Sequence, residues 1–269
     1  MRGQEIDLPE RADLLVTEIV GSVASEEGMY STIRDARERH LKHPDDPASY
    51  IPARCQTLVV PASFWPHHDA NYDWDPSAAP VRLNCHSAWL VPLSKPQLWE
   101  DFAQHLPPPG PGVHTPASLE FCVSAASIEA NSRMLEELSA ELLELDGMRD
   151  AEPQDGMGAM GAEGRPAVTA SAVACSISGV ACWPRLVLDE GGMEGEQPII
   201  VEARGMEAEP RFSSWQTVLL LLDKAPARIH AGDTIVIESE IELGAAPATP
   251  PRYTMKATID RRAATAQCS

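Results

Sequence analysis

The sequence predicts an α/β fragment followed by a mostly-β barrel domain that carries a helical insertion. The first 61 residues follow the order strand, loop, helix, strand, and about eight short apolar runs separated by Pro, Gly and Asp come after them. One long amphipathic stretch with helical spacing interrupts these runs. We therefore predict two domains, at residues 1–61 and 62–269, with a helical and flexible insertion at about 128–166.

The N-terminal part is predicted to form a covered α/β layer. Residues 13–17 and 57–60 are apolar strands without alternation, which is typical of a sheet that is buried on both faces. Between these strands the chain bends at Gly21 and Ser22, and a helix is predicted over residues 29–41.

The second part is predicted to consist of β-strands and one helix. The helix covers residues 128–145, where Leu135, Leu138 and Leu142 recur at helical spacing. Residues 146–166, rich in Gly, Met and acids, are predicted to form a loop. The predicted strands cover residues 83–93, 117–124, 168–177, 185–188, 199–203, 217–222, 234–241 and 253–259.

Charge and composition restrict the class of protein. Hydrophobic residues make up 43% of the chain, which indicates a globular protein. The net charge of −19 argues against a nucleic-acid binder and suits a basic partner such as an Arg-rich protein, although acidity also confers solubility on its own. The longest apolar run, residues 218–222, is too short to cross a membrane.

The spacing of cysteines and histidines predicts no metal site. The six cysteines contain no C-x-x-C pair, so we expect buried free thiols in a reducing compartment and a cytoplasmic or nuclear protein. His67, His68 and Asp69 stand in a Pro-bounded stretch without recognisable ligand spacing, which favours a solvated loop.

Two glutamates nine residues apart, Glu18 and Glu27, are the most informative feature of the sequence. They follow an apolar strand and precede a helix, so their carboxylates can form a two-pronged acceptor for a planar guanidinium. The alternative is a pair of ordinary acids, with Glu27 placed favourably at the positive end of the helix. Glu26, next in sequence, could take the place of Glu27.

This pattern resembles the double-glutamate loop of the protein arginine methyltransferases, and further segments continue the resemblance through most of the chain in the family's order. The resemblance implies that the chain corresponds to the C-terminal portion of these enzymes, which consists of the tail of a Rossmann-like methyltransferase sheet and the β-barrel. Within the family, the chain is most similar to the symmetric-dimethylating type. The segments that resemble family motifs are Ile51-Pro52, residues 177–183, residues 212–217 and residues 231–235.

The resemblance implies roles for five residues. Glu18 and Glu27 would be the catalytic pair that holds the substrate guanidinium. Trp215 would wall the arginine pocket, with a core aromatic as the alternative, and Ser214 precedes it as Ser does in the symmetric-dimethylating members. Met29, at the start of the helix, would contact the cofactor.

The resemblance also implies S-adenosylmethionine as the cofactor of the complete enzyme. The family binds it with a Gly-rich loop after the first strand of its sheet, and we identify no such loop anywhere in the sequence. We therefore expect weak or absent cofactor binding by this chain and a partner or segment that supplies the missing half. A helical arm makes the dimer in this family, so a homodimer through residues 128–145 is one interpretation; a helix packed on its own barrel is the favoured one.

The function predicted from these observations is methyl transfer from S-adenosylmethionine to protein arginine side chains. The alternative is a non-catalytic β-barrel module that binds Arg-rich peptides or a methyltransferase partner.

Overall fold

The computed structural model describes residues 6–70, 72–85, 87–114, 118–149, 168–191, 197–203, 215–244 and 249–261. The helices are α1 (Met29–Asp35), continued by a π-helical turn (Ala36–His40), α2 (Ala125–Arg149) and α3 (Ala170–Ala174). The strands are β1 (Leu15–Val16), β2 (Tyr50–Ile51), β3 (Arg54–Phe64), β4 (Val81–Asn84), β5 (Leu90–Pro92), β6 (Gln97–Ala103), β7 (Gly112–His114), β8 (Leu119–Cys122), β9 (Ser176–Ile177), β10 (Gly179–Asp189), β11 (Ile199–Glu202), β12 (Gln216–Leu221), β13 (Ala227–Arg228), β14 (Thr234–Leu243) and β15 (Arg252–Asp260).

Two antiparallel sheets form the β-domain around a shared core. The larger sheet has the order β4-β12-β10-β3-β5, with β11 added to β10 and β6 added to β3. In the smaller sheet, β14 pairs with β15 on one side and with β7 and β8 on the other. Their inward side chains meet in one cluster that includes Trp183, Leu219, Phe121 and Ile235. The predicted mostly-β barrel domain is thereby confirmed.

The centre of the larger sheet is the long antiparallel pair of β3 and β10. Their register runs from Arg54 opposite Val187 to Ala62 opposite Gly179. Gly179 is required by close packing, because a Cβ at this position would lie 2.2 Å from the carbonyl oxygen of Leu220. Since β3 continues to Phe64, the predicted domain boundary at residue 61 lies inside one strand.

The N-terminal residues form an α/β fragment beside this sheet, but the predicted burial of residues 13–17 on both faces is wrong, because Leu14 is 45% and Val16 is 67% exposed. β1 and β2 are parallel, with Leu15 opposite Tyr50, and α1 follows the loop that leaves β1. A second core cluster, which includes Met29, Ile33, Phe102 and Leu186, joins α1 to the back of the large sheet. Apolar burial therefore fixes the fragment against the β-domain.

The predicted strand at residues 168–177 is wrong. The chain forms α3 there and only then the short β9, because the Thr169 hydroxyl accepts a hydrogen bond from the Ala172 N–H at 3.2 Å and four of the five α3 residues are Ala or Val. Strand β6, which carries aromatics and acids together, was not predicted.

Helix α2 is longer than predicted and packs on its own β-domain. Its N-terminus is fixed by Ser124, whose hydroxyl accepts from the Ser127 N–H at 3.0 Å. Leu135 is fully buried against Val91 of β5 and Val173 of α3, which is the packing that the sequence favoured. In the described part of the chain, no helix has both the length and the apolar character needed to cross a membrane.

Among the cysteines that the structure describes, the prediction of free thiols fails at Cys122. Cys55, Cys85, Cys175 and Cys182 are free thiols, as expected. Cys122 is disulfide-bonded, so the expectation of six free thiols is wrong.

Candidate functional site

The candidate site is built on the segment from Glu18 to Gly28, which we call the acid loop. On its inner side the Ala24 N–H donates to the Thr57 hydroxyl oxygen at 2.9 Å. The Ser25 hydroxyl donates to one carboxylate oxygen of Glu100, and the Thr57 hydroxyl donates to the other at 2.6 Å. The carboxylate of Glu100, on β6, thus connects the acid loop to β3 by hydrogen bonds.

Glu100 is buried without a cation partner among the described residues. Burial raises the pKa of its carboxyl above the ordinary value, although the hydrogen bonds from Ser25 and Thr57 lower it in part. The Ser25 hydroxyl also lies 2.8 Å from the Tyr253 hydroxyl. Burial, with the charge of Glu100 next, raises the pKa of both Tyr30 and Tyr253. This inner side is a polar network that holds the loop in place.

On its outer side the acid loop meets an arginine of the chain itself. The Nη2 atom of Arg82, on β4, donates to Glu26 Oε1 at 2.8 Å, and its Nη1 atom donates to the Ser22 hydroxyl at 2.9 Å. Glu26 Oε2 accepts the Ser22 N–H at 3.1 Å. Gly21 makes room for this carboxylate, because a Cβ there would lie 2.7 Å from Glu26 Oε2.

These groups border an open cleft, which we call the acid cleft. Trp215, immediately before β12, lines the cleft and is half-buried against both core clusters described above. The complete lining consists of Val20, Gly21, Ser22, Glu26, Glu27, Arg82, Trp215 and Gln216. The aromatic ring of Trp215 and the carboxylates of Glu26 and Glu27 thus line the same cleft. A guanidinium is bound by such groups, because it stacks on aromatic rings and donates hydrogen bonds to carboxylates.

The residues predicted from the sequence fall at different places. Glu27 is exposed and lines the acid cleft with Trp215. Glu18 is exposed and stands outside that lining, close enough to Cys55 that its charge adds to the effect of burial, which raises the pKa of that thiol to about 11. Met29 is 1% exposed and packs in the second core cluster. Ser214 lies outside the described residues.

Sequence reasoning missed Arg82 and Glu100. Neither residue belongs to a motif, and each reaches the acid loop by a contact across 56 to 75 positions of the chain. One signal was present for Glu100, since it stands between Trp99 and Phe102, and an acid among large buried side chains requires a hydrogen-bonding partner.

A Gly-rich spacing was also missed. Gly156, Gly158 and Gly161 have the spacing G-x-G-x-x-G. They follow α2 and not a strand, and they lie in residues 150–167, outside the described residues. The spacing alone, without the strand-to-helix context, is a weak indication of a nucleotide site.

The histidine pair belongs to the protein interior. His67 is buried, and the Nε2 atom of His68 lies 2.9 Å from the Ser176 hydroxyl. Burial, with the neighbouring His67 next, lowers the pKa of His68 to about 4. Among the described residues, no group of three or more His, Cys, Asp or Glu is placed to hold a metal ion.

Comparison with known proteins identifies the fold. No protein-family model and no curated protein matches the sequence. Protein arginine methyltransferase 10 of Arabidopsis thaliana matches with a TM-score of 0.51 and 12% identity, over 95% of this chain and 72% of that chain. A PRMT6 structure matches with a TM-score of 0.51 and 16% identity, over 92% and 67%, and a PRMT6-SAH structure with 0.50 and 15%, over 92% and 67%. The chain therefore has the fold of the protein arginine methyltransferases over most of its length.

Proposed function

We propose that this chain is the substrate-binding part of a protein arginine N-methyltransferase. The reaction is methyl transfer from S-adenosylmethionine to arginine side chains of a protein. The observation that carries the proposal is the acid cleft, where a guanidinium, that of Arg82, lies against a carboxylate of the acid loop beside Glu27 and Trp215. The fold likeness supports the same assignment.

Glu27 and Glu18 hold the substrate guanidinium in this proposal. Arginine stays protonated in water, so the Glu27 carboxylate keeps the cation in the cleft. Glu18, which stands outside the cleft lining, is the second carboxylate of the proposed pair that stabilises the charge as it redistributes during transfer. Both acids are exposed, so an incoming side chain reaches them without first opening the core. Trp215 provides a flat wall that orients the guanidinium plane. Orientation of this kind contributes to rate by restricting the reacting geometry.

The described residues do not fit S-adenosylmethionine. Met29 is enclosed in the core, and the parallel pair of β1 and β2 has two residues in each strand. One of the similar structures is named as PRMT6-SAH, which concerns that protein only. We therefore assign cofactor binding to a separate Rossmann-like half, supplied by a further segment or by a partner, and expect weak or absent binding by this chain.

The proposed partner is an Arg-rich protein. The net charge of −19 raises the encounter rate with a basic chain by long-range attraction. Ser214 before Trp215 favours the symmetric type of methylation, and a homodimer and a cytoplasmic or nuclear location stay predictions.

The test is methyl transfer to an Arg-Gly-rich peptide by this chain combined with a cofactor-binding half, followed with radiolabelled methyl donor. Replacing Glu18 or Glu27 by Gln keeps the shape but removes the charge, and each variant should lose at least about 10²-fold in rate. Glu242→Gln is the matched control with a mild effect, because Glu242 is an exposed acid on the smaller sheet and lies outside the lining of the acid cleft.

The outcomes separate the two candidate functions. If Glu26→Gln abolishes transfer and Glu27→Gln does not, the pair is Glu18 and Glu26. If no combination transfers methyl groups but the chain binds the peptide, the protein is a non-catalytic Arg-binding module. If neither transfer nor binding is found, the proposal fails.

A further inference from the structure

Arg82 makes a two-pronged contact with the acid loop from the neighbouring sheet. It stands on the exposed face of β4, a strand at the edge of the large sheet, opposite Val218 of β12. Its two terminal nitrogens each donate to a different residue of the loop, Glu26 and Ser22. Both terminal nitrogens of the planar guanidinium are therefore engaged with the loop, as they would be in a bound arginine ligand.

The contact is open to exchange. The side chain of Arg82 is 46% exposed and that of Glu26 is 34% exposed. Ion pairs with this exposure are weak, because water competes for both charges. A guanidinium from outside can therefore replace Arg82 at modest cost.

The acid cleft has more acceptor capacity than Arg82 uses. Glu27 borders the same cleft, so two carboxylates face one arginine there. Trp215 adds an aromatic face on the side of β12. By contrast, Arg54 makes a paired contact with Asp101 at 2.9 and 2.7 Å and a third contact with Glu190, outside the acid cleft.

We propose that Arg82 is an internal occupant of a guanidinium-binding seat formed by Glu26, Ser22, Glu27 and Trp215, and that an external guanidinium enters only when Arg82 leaves. Arg82 thus acts as a competing ligand that lowers the affinity for arginine side chains. The inference rests on the proposed function for the identity of the natural ligand, a protein arginine, but the seat itself is independent of methyl transfer.

The experiment compares wild type with Arg82→Ala in the full chain, using methylguanidinium as the ligand and methylammonium as the ligand of equal charge without a fork. Binding is measured by calorimetry and by the shift of the melting temperature. Arg82→Ala should bind methylguanidinium about tenfold more tightly than wild type, because the internal competitor is gone. It should gain nothing for methylammonium.

Two variants make the result specific. Arg252→Ala is the matched control, because Arg252 also lies in an exposed cleft, 3.7 Å from Glu242 and next to Glu240, on the smaller sheet. It should bind methylguanidinium like wild type. In the double variant Arg82→Ala with Glu26→Gln the gain should disappear, because the acceptor is lost.

Equal or weaker binding by Arg82→Ala would overturn the proposal and leave Arg82 as a structural brace of the acid loop. An equal gain in Arg252→Ala, or for methylammonium, would also overturn it, because the effect would then be general charge. A gain in Arg82→Ala together with an inactive combined enzyme would instead reject methyl transfer and keep the seat. No gain in Arg82→Ala together with an active combined enzyme would reject the seat and keep methyl transfer.

Discussion

The two sides of the acid loop place the same functional group in opposite environments. On the inner side, Glu100 is 5% exposed, and its carboxylate accepts hydrogen bonds from the hydroxyls of Ser25 and Thr57, both fully buried. On the outer side, Glu18 and Glu27 are exposed. A carboxylate that accepts buried hydroxyls is committed to the fold, whereas an exposed one is free to bind a ligand.

The difference separates stability from recognition within a few residues. Removing an inner partner leaves a buried polar group unpaired, which costs more than the bond itself contributed. Replacing Glu18 or Glu27, which are exposed, leaves no buried group unpaired and does not change the packing of the core. Variants of the inner side should therefore alter the free energy of unfolding, and variants of the outer side should alter binding and rate.

The largest expected effect is that of Thr57→Val, which should lower the free energy of unfolding by about 2–3 kcal/mol because the Ala24 N–H and Glu100 both lose a partner. Thr217→Val is the matched control. Thr217 is equally buried, but no described residue is a hydrogen-bond partner of its hydroxyl, so this change should be neutral or stabilising. Urea unfolding measures both, and equal losses would contradict the anchoring role of Thr57.

The pH dependence of stability tests Glu100 directly. Its folded pKa is raised above 4.5, so folding favours the protonated carboxyl, and this contribution is complete below pH 4.5 and is lost as the pH rises through the folded pKa. Glu100→Gln stays neutral throughout. Wild type should therefore lose stability relative to Glu100→Gln as the pH rises above 4.5, measured by urea unfolding.

The difference in stability between wild type and Glu100→Gln does not depend on the titration of other groups that both proteins share. His67 and His68 have pKa values lowered by burial, but they are present in both proteins and cancel in the difference. A difference that does not change with pH would show that Glu100 is ionised in the folded state over this range.

A smaller effect is expected for Gly21→Ala at the border between the two sides. The new Cβ would stand 2.7 Å from Glu26 Oε2 and 2.8 Å from Glu26 Cβ, so Glu26 must move and give up the Ser22 N–H. The loss of one such hydrogen bond should cost about 1 kcal/mol in urea unfolding. Gly110→Ala, where no atom lies within 4 Å of the added Cβ, is the neutral control. Equal costs would place the effect in the backbone and not in Glu26.

The smallest expected change in stability is that of Glu27→Gln, which should stay within about 0.5 kcal/mol of wild type because the side chain is exposed. The same variant should lose methyl transfer in the combined enzyme. A clear loss of stability in urea unfolding would mean that Glu27 serves the fold and would remove the contrast between the two sides.

The sequence by itself determined the local patterns. β14 and β15 were predicted as short apolar runs separated by turn residues, and in the structure buried and exposed residues alternate along each of them, which is a property of each strand alone. α2 was predicted because its apolar residues recur at helical spacing. Glu27 and Trp215 were selected by motif resemblance, and the fold places both at one cleft.

The tertiary structure decided what depends on residues far apart in the chain. β3 pairs with β10 from Arg54 to Ala62, so the residues on both sides of the predicted boundary at residue 61 belong to one strand. Arg82 reaches Glu26 only because β4 pairs with β12 at the edge of the large sheet, and Glu100 reaches Ser25 only because β6 adds to β3. Patterns of period 2 and 3.6 carry no information on such partners, since burial and pairing over long separations are settled by the packing of the whole core.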